Sequence, residues 1–172
     1  MRWYEAYFSS PDWLNPTWVS LWVASAVVVL ATVLGTLAAL GIARLSKPMR
    51  VFSTGLILSP LIVPGIVVAI GIYYAYSHYG LVGTPIAMVL AHTCLAVPFV
   101  VTSVTASLSG IDPRLEQASL SLGATPAATF WQVTLPLIRP GVLVGALFAF
   151  ITSFDELIVA LFISGTGAVT LP

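Results

Sequence analysis

Charge is what this chain has least of. Of 172 residues, six are Lys or Arg and six are Asp or Glu, which is 7% of the chain; a soluble domain carries about 25%. The even balance excludes the basic surface that nucleic-acid binding requires. Disorder is excluded as well, because 59% of the residues are hydrophobic and disordered chains are polar. The single cysteine, Cys94, rules out an internal disulfide or a cysteine-based zinc cluster. The single lysine, Lys47, stands in Arg-Leu-Ser-Lys-Pro, so the Gly-x-x-x-x-Gly-Lys-Ser/Thr loop that cradles nucleotide phosphates is missing. We therefore expect no catalytic residue, no metal and no bound cofactor. What is present is long apolar sequence, and the expected class is an all-α integral membrane protein, a polytopic helical bundle.

The twelve charges are clustered, and the gaps between them locate the spans. Trp13 to Ala43, Val51 to Ile111 and Pro140 to Phe154 carry no Asp, Glu, Lys or Arg, and only Asp155-Glu156 interrupts the remainder to Pro172. A helix needs about 20 apolar residues to cross a bilayer. The first gap holds one span. The second holds two, separated by turn formers at Ser77-His78-Tyr79-Gly80 and Gly83-Thr84-Pro85. The expected spans are 17–43, 52–76, 84–108 and 137–164, within a single domain covering 1–172. Helices are the only reading, since a membrane barrel alternates polar and apolar residues over about 10-residue strands and Ala26-Val27-Val28-Val29-Leu30 does not.

Cations in short loops set orientation. Arg44, Lys47 and Arg50 follow the first span and Arg114 and Arg139 bracket the third loop, with only Arg2 opposite. This puts residues 44–51 and 109–136 in the cytoplasm and both ends of the chain outside; for Arg44, Lys47 and Arg50 setting topology is the expected role. Trp13, Trp18 and Trp22 fit an aromatic belt at the outer boundary. With both ends outside and a polar, aromatic start, further helices are expected beyond each end.

The loop 109–136 carries the most specific pattern. Asp112-Pro113 reads as an N-cap followed by a first-turn proline. Leu115, Ala118 and Leu122 recur at helical spacing and give one apolar face. Gly123 is placed to end that helix in a left-handed conformation. Thr125-Pro126 caps a second short helix through about Val133, and Pro136 and Pro140 are expected to begin the last span. A bent helix–Gly–helix element of this kind suits docking into a partner's groove, or serves as a plain interfacial connector.

Its residues decide for docking. Gln117-Ala118-Ser119, three residues, Gly123, nine residues, then Val133-Thr134-Leu135-Pro136 resembles the cytoplasmic Glu-Ala-Ala motif of ATP-binding-cassette importer permeases, whose pattern is Glu-Ala-Ala, three residues, Gly, nine residues, an aliphatic, any residue and Leu-Pro. Gln117 replaces the motif's Glu, with Glu116 one position earlier, and Ser119 replaces its second Ala. Ser59 to Ile66, Ser-Pro-Leu-Ile-Val-Pro-Gly-Ile, resembles the proline-broken core helix of type I importers. Ser153-Phe154-Asp155-Glu156 with Phe162-Ile163-Ser164-Gly165 resembles the spermidine/putrescine branch. The resemblance implies a type I permease core lacking its first and last helices, in a bacterial inner membrane. It implies coupling to an ATPase through Leu115, Glu116, Gln117, Ala118, Ser119, Leu122, Gly123, Leu135 and Pro136. The implied partners are cytoplasmic ATPase subunits that bind the ATP, a second permease subunit and an extracytoplasmic substrate-binding protein. Iron, thiosulfate and opine permeases share similar stretches, so the alternative is a permease for iron, thiosulfate, an opine or an amino acid.

Two further features belong to the membrane interior. Pro60 and Pro64 each remove a backbone hydrogen bond, giving either a bend that lines a translocation path or a static kink; Pro98 reads the same way. Gly141, Gly145 and Ala149 form a close-packing stripe that Thr152 and Glu156 continue at about 100° per residue, with Asp155 about 80° around. Intramembrane carboxylates are functional by default: Asp155 and Glu156 attract a cationic substrate, pair with a partner's cation, or sit at the outer interface. His92 and Cys94 point about 200° apart on a helix, which favours a packed, hydrogen-bonded histidine over a nucleophile pair. The leading reading is the permease; an intramembrane enzyme using Asp155, Glu156 and His92, and a membrane scaffold, are its rivals.

Overall fold

The computed structural model describes Phe8 and residues 11–164, with side chains at Phe8 and from Trp13 onward. Every regular element among them is helical: α1 Pro11–Ala43, α2 Lys47–Ile62, α3 Gly65–His78, α4 Pro85–Ser109, α5 Arg114–Ser121, α6 Pro126–Thr129, a π-helical turn Phe130–Thr134, α7 Leu135–Asp155 and α8 Leu157–Ile163. Three stretches are long and apolar enough to cross a bilayer, namely Trp13–Ala43, Pro85–Ser109 and Pro126–Asp155.

The span expected at 52–76, with a bend or kink at Pro60 and Pro64, is two helices, α2 and α3, meeting at 101°. Their junction follows from Pro64. The residue before a proline is pushed out of the α region, and Val63 is extended at φ −76°, ψ 134°. Pro60, four residues earlier, does not break α2: the Leu56 carbonyl that it leaves without an N–H accepts from the Ser59 hydroxyl at 2.7 Å. Pro98 likewise lies inside an unbroken α4.

The expected last span, 137–164, is corrected at both ends. It does not begin at Pro136 or Pro140 but continues from Pro126, and it stops at Asp155. The π turn explains the first point. The Leu135 N–H reaches back five residues to the Phe130 carbonyl, so the helix widens by one residue just before Pro136, which has no N–H to give. At the other end Glu156 is extended at φ −80°, ψ 93° and starts α8.

α1, α4 and α7 pack against one another around Val27, Ala31, Val100, Val101, Val104, Ile138 and Ala149. Small residues bring the backbones close, as membrane helices without a hydrophobic driving force require. Val100 of α4 is gripped from two sides. A Cβ on Gly35 of α1 would lie 2.6 Å from the Val100 Cβ, and one on Gly145 of α7 would lie 3.0 Å from its Cα. Gly141 meets backbone as well, since a Cβ there would lie 2.6 Å from the Ser103 carbonyl oxygen. The stripe Gly141, Gly145, Ala149 is buried as the sequence implies, and its next buried member is Ser153, not Thr152. A second cluster joins Ala69 of α3, Ala87, Ala91 and Leu95 of α4, and Val159 and Ile163 of α8.

The turn between α3 and α4 is built as its residues read. Gly80 and Gly83 take positive φ of 65° and 84°, and the Thr84 hydroxyl accepts from the Ala87 N–H at 3.2 Å, with Pro85 at the first position. The Gly83 N–H donates to the Ile163 carbonyl at 2.9 Å, tying this turn to the end of α8. The outward faces remain apolar: Val29, Val33, Leu37, Leu143 and Leu147 are all more than half exposed. An exposed apolar surface of that extent suits lipid and not water.

Gly141→Val should lower the unfolding midpoint of the detergent-solubilised protein, consistent with an overpacking cost of about 1–3 kcal/mol. Gly71→Ala, whose Cβ meets nothing within 4 Å, should leave it unchanged or raise it. Equal loss in both variants would refute the packing account.

Candidate functional site

The element between α4 and α7 is capped at each turn. An Asp112 side-chain oxygen accepts the Arg114 N–H at 2.9 Å and fixes the start of α5. At its far end the Ala124 N–H bonds the Ser119 carbonyl at 3.2 Å and the Gly123 N–H bonds the Leu120 carbonyl at 3.0 Å. That is the paired 6→1 and 5→2 closure of a Schellman motif, and it requires the positive φ of 88° at Gly123. Thr125 then caps α6 through the Ala128 N–H at 3.2 Å.

Two side-chain hydrogen bonds fold α5 back onto the helix that follows. The Thr134 hydroxyl donates to a Glu116 carboxylate oxygen at 2.6 Å, and the Ser119 and Thr129 hydroxyls meet at 2.9 Å. Of the expected coupling residues, Glu116 and Ser119 therefore turn inward and are half-buried, while Leu115, Gln117, Ala118 and Leu122 are exposed. Leu122 stands 89% exposed and Trp131 65%, a large apolar presentation for so short a segment. Leu135 is half-buried and Pro136 exposed.

Beside this element a groove of about 470 Å³ runs between the ends of α1, α4 and α5, lined among others by Arg44, Arg50, Ile111, Pro113 and Glu116. Arg50 does more than set topology. Its guanidinium donates to the Ala43 carbonyl at 2.7 Å and the Leu45 carbonyl at 3.3 Å, closing the last turn of α1 where carbonyls lack helical partners.

The two helix breaks lie next to one another. A Cβ on Gly65, the first residue of α3, would lie 3.4 Å from the Ile158 Cδ1 at the start of α8. Glu156, half-buried, uses one carboxylate oxygen to accept the Val159 N–H at 3.1 Å. Asp155 is exposed. The expectation that both carboxylates lie on the protein-facing half of one helix thus fails for Asp155, because the helix ends there and the phase cannot be carried through Glu156. One turn before the break the buried pair His92 Nδ1 and Ser153 Oγ lies 3.1 Å apart. His92 lies seven residues inside Pro85, about 10 Å along α4 at roughly 1.5 Å per residue. Cys94 is exposed and His92 buried, on different faces of α4 as their spacing requires. Among the described residues no three His, Cys, Asp or Glu side chains gather where a metal ion could sit.

Sequence reasoning missed Thr129, Thr134, Arg50, Ser59 and Ser153. A hydroxyl directly before Pro60 was a readable signal for Ser59. Thr129 and Thr134 gave none, since residues five apart on a regular α-helix diverge by about 140°.

Discontinuous apolar helices whose breaks lie side by side, with a capped helical element at one end, are features of membrane transport components. The chain belongs to the family of binding-protein-dependent transport system inner membrane components, whose pattern it matches over residues 31–172. It is 32% identical over 182 residues to the putrescine transport system permease protein PotI of Escherichia coli strain K12, covering 99% of this chain and 63% of the relative. It is 28% identical to the spermidine/putrescine transport system permease protein PotC of Haemophilus influenzae, covering 99% and 66%. It is also 32% identical to the molybdenum transport system permease protein ModB of Mycobacterium bovis over 88% of this chain and 62% of that protein. The chain thus spans less than two thirds of the length of these relatives.

Gly123→Ala should strain the Schellman closure by about 1–2 kcal/mol. The expected readout is an Ala124 amide that exchanges hydrogen roughly tenfold faster, with Gly123→Asn in between; unchanged exchange in Gly123→Ala would refute the closure.

Proposed function

We propose that this chain is the membrane-embedded permease core of an ATP-binding-cassette importer for polyamines, putrescine or spermidine. The observation that carries the reading is the exposed apolar face Leu115, Ala118 and Leu122 on a helix held rigidly at both ends, on the side marked by five of the six cations. In this reading the face seats in a cytoplasmic ATPase subunit, which binds the ATP; a second permease completes the pathway and an extracytoplasmic binding protein delivers the substrate. The chain threads the membrane with 44–51 and 109–136 cytoplasmic and both its ends outside. Closure of the ATPases around ATP moves the 112–133 element and switches the bundle from inward- to outward-facing.

The pathway lies at the paired breaks by Pro64, Gly65 and Glu156, with Pro60 on the approach. Asp155 and the Glu156 oxygen not used for capping supply negative charge there, which suits a cationic amine. The putrescine and spermidine/putrescine relatives support this substrate class. The molybdenum relative favours a second reading, in which the same scaffold carries another substrate.

Two measurements test the proposal. A co-expressed ATPase subunit should co-purify with the chain, and Leu115→Ala with Leu122→Ala should abolish this; retention in the double variant would remove the docking role. In the assembled transporter, Asp155→Asn with Glu156→Gln should raise the apparent KM for labelled putrescine several-fold. Unchanged uptake would remove both carboxylates from the pathway, and molybdenum uptake in place of putrescine would establish the second reading.

A further inference from the structure

The bonds that fold α5 onto the next helix all depend on the π turn. In the absence of that turn, Thr129 and Thr134 would face directions about 140° apart. The extra residue in Phe130–Thr134, closed by the Leu135 N–H to the Phe130 carbonyl, brings both threonines to one side. There they meet Glu116 and Ser119, which are three apart and thus neighbours on α5, in antiparallel register: 134 with 116 at 2.6 Å and 129 with 119 at 2.9 Å. Both threonines are buried, at 5% and 3% exposure. The π turn runs without interruption into α7, and α7 carries Gly141 and Gly145 against α4 and ends at the Glu156 break.

We propose that Thr129 and Thr134 are positioning residues: held on one face by the π turn, they clamp α5 to α7 so that displacement of the coupling helix reaches the bundle as movement of one body. The proposal rests on the coupling role given above and adds the parts that transmit it. Neither threonine touches substrate or ATPase. Their hydroxyls fix the angle between the exposed Leu115–Leu122 face and the axis of α7. Without them α5 keeps its own caps at Asp112 and Gly123 and still presents its apolar face, but it swings about the Gly123 hinge.

The clamp is tested in the full-length permease carrying Cys94→Ser, with spin labels at the exposed positions Gln117 and Gln132 in lipid vesicles. The unaltered threonines should give one narrow distance distribution. Thr129→Val with Thr134→Val should broaden it at least about twofold, and Thr129→Ser with Thr134→Ser should restore it, because serine returns the hydroxyl. In the assembled transporter the valine pair should still bind the ATPase but move roughly tenfold less substrate per ATP hydrolysed, as expected for two lost hydrogen bonds; the serine pair should recover coupling. An unbroadened distribution in the valine pair, a broadened one with full coupling, or a loss that serine does not rescue would each overturn the clamp. If the unaltered permease binds no ATPase, the coupling role falls, whereas the distance measurement still decides whether the clamp exists.

Discussion

Hydrogen bonding of the backbone in a medium without water is the constraint on which this structure depends. Inside hydrocarbon an unpaired carbonyl or N–H costs several kcal/mol, yet this chain interrupts its helices repeatedly. Local substitutes answer the interruptions. The Ser59 hydroxyl takes the Leu56 carbonyl that Pro60 strands, Glu156 takes an N–H of α8, Thr84 takes one of α4, and Arg50 closes the end of α1. At Leu135 the backbone itself adapts, by lengthening the reach of one bond. The breaks are therefore built positions with assigned partners.

That arrangement also separates two kinds of proline. Pro60, Pro98, Pro136 and Pro140 all lie within helices, while Pro64 ends one. Each is the same ring with the same missing donor. The difference is whether the residue before it can remain helical, which depends on neighbours that satisfy or displace it. The chain turns at Val63-Pro64, and α3 packs on α4 and α8 through Ala69, Val159 and Ile163.

The helical class and the approximate extents of α1 and α4 were legible in the spacing of twelve charges, because excluding charge from the membrane is a one-dimensional rule. Caps at Asp112, Gly123 and Thr125 were legible for a similar reason: each acts within five residues of itself. That the break falls at Pro64 and not at Pro60, the continuity through Pro136 and the end of α7 at Asp155 were not, since local rules treat every proline alike. The phase of Asp155 and Glu156 failed because it was projected along a helix that stops between them. Thr129 and Thr134 were invisible for a deeper reason, as their kinship exists only where the helical period itself changes.

The clasp on Val100 has a mechanical corollary. With glycine on either side and backbone at van der Waals distance, neither α1 nor α7 can slide along α4 by even half a turn without driving Val100 into a main chain. The three longest helices consequently form a keel, and whatever rearranges in this molecule has to do so in the hinged pieces mounted on it.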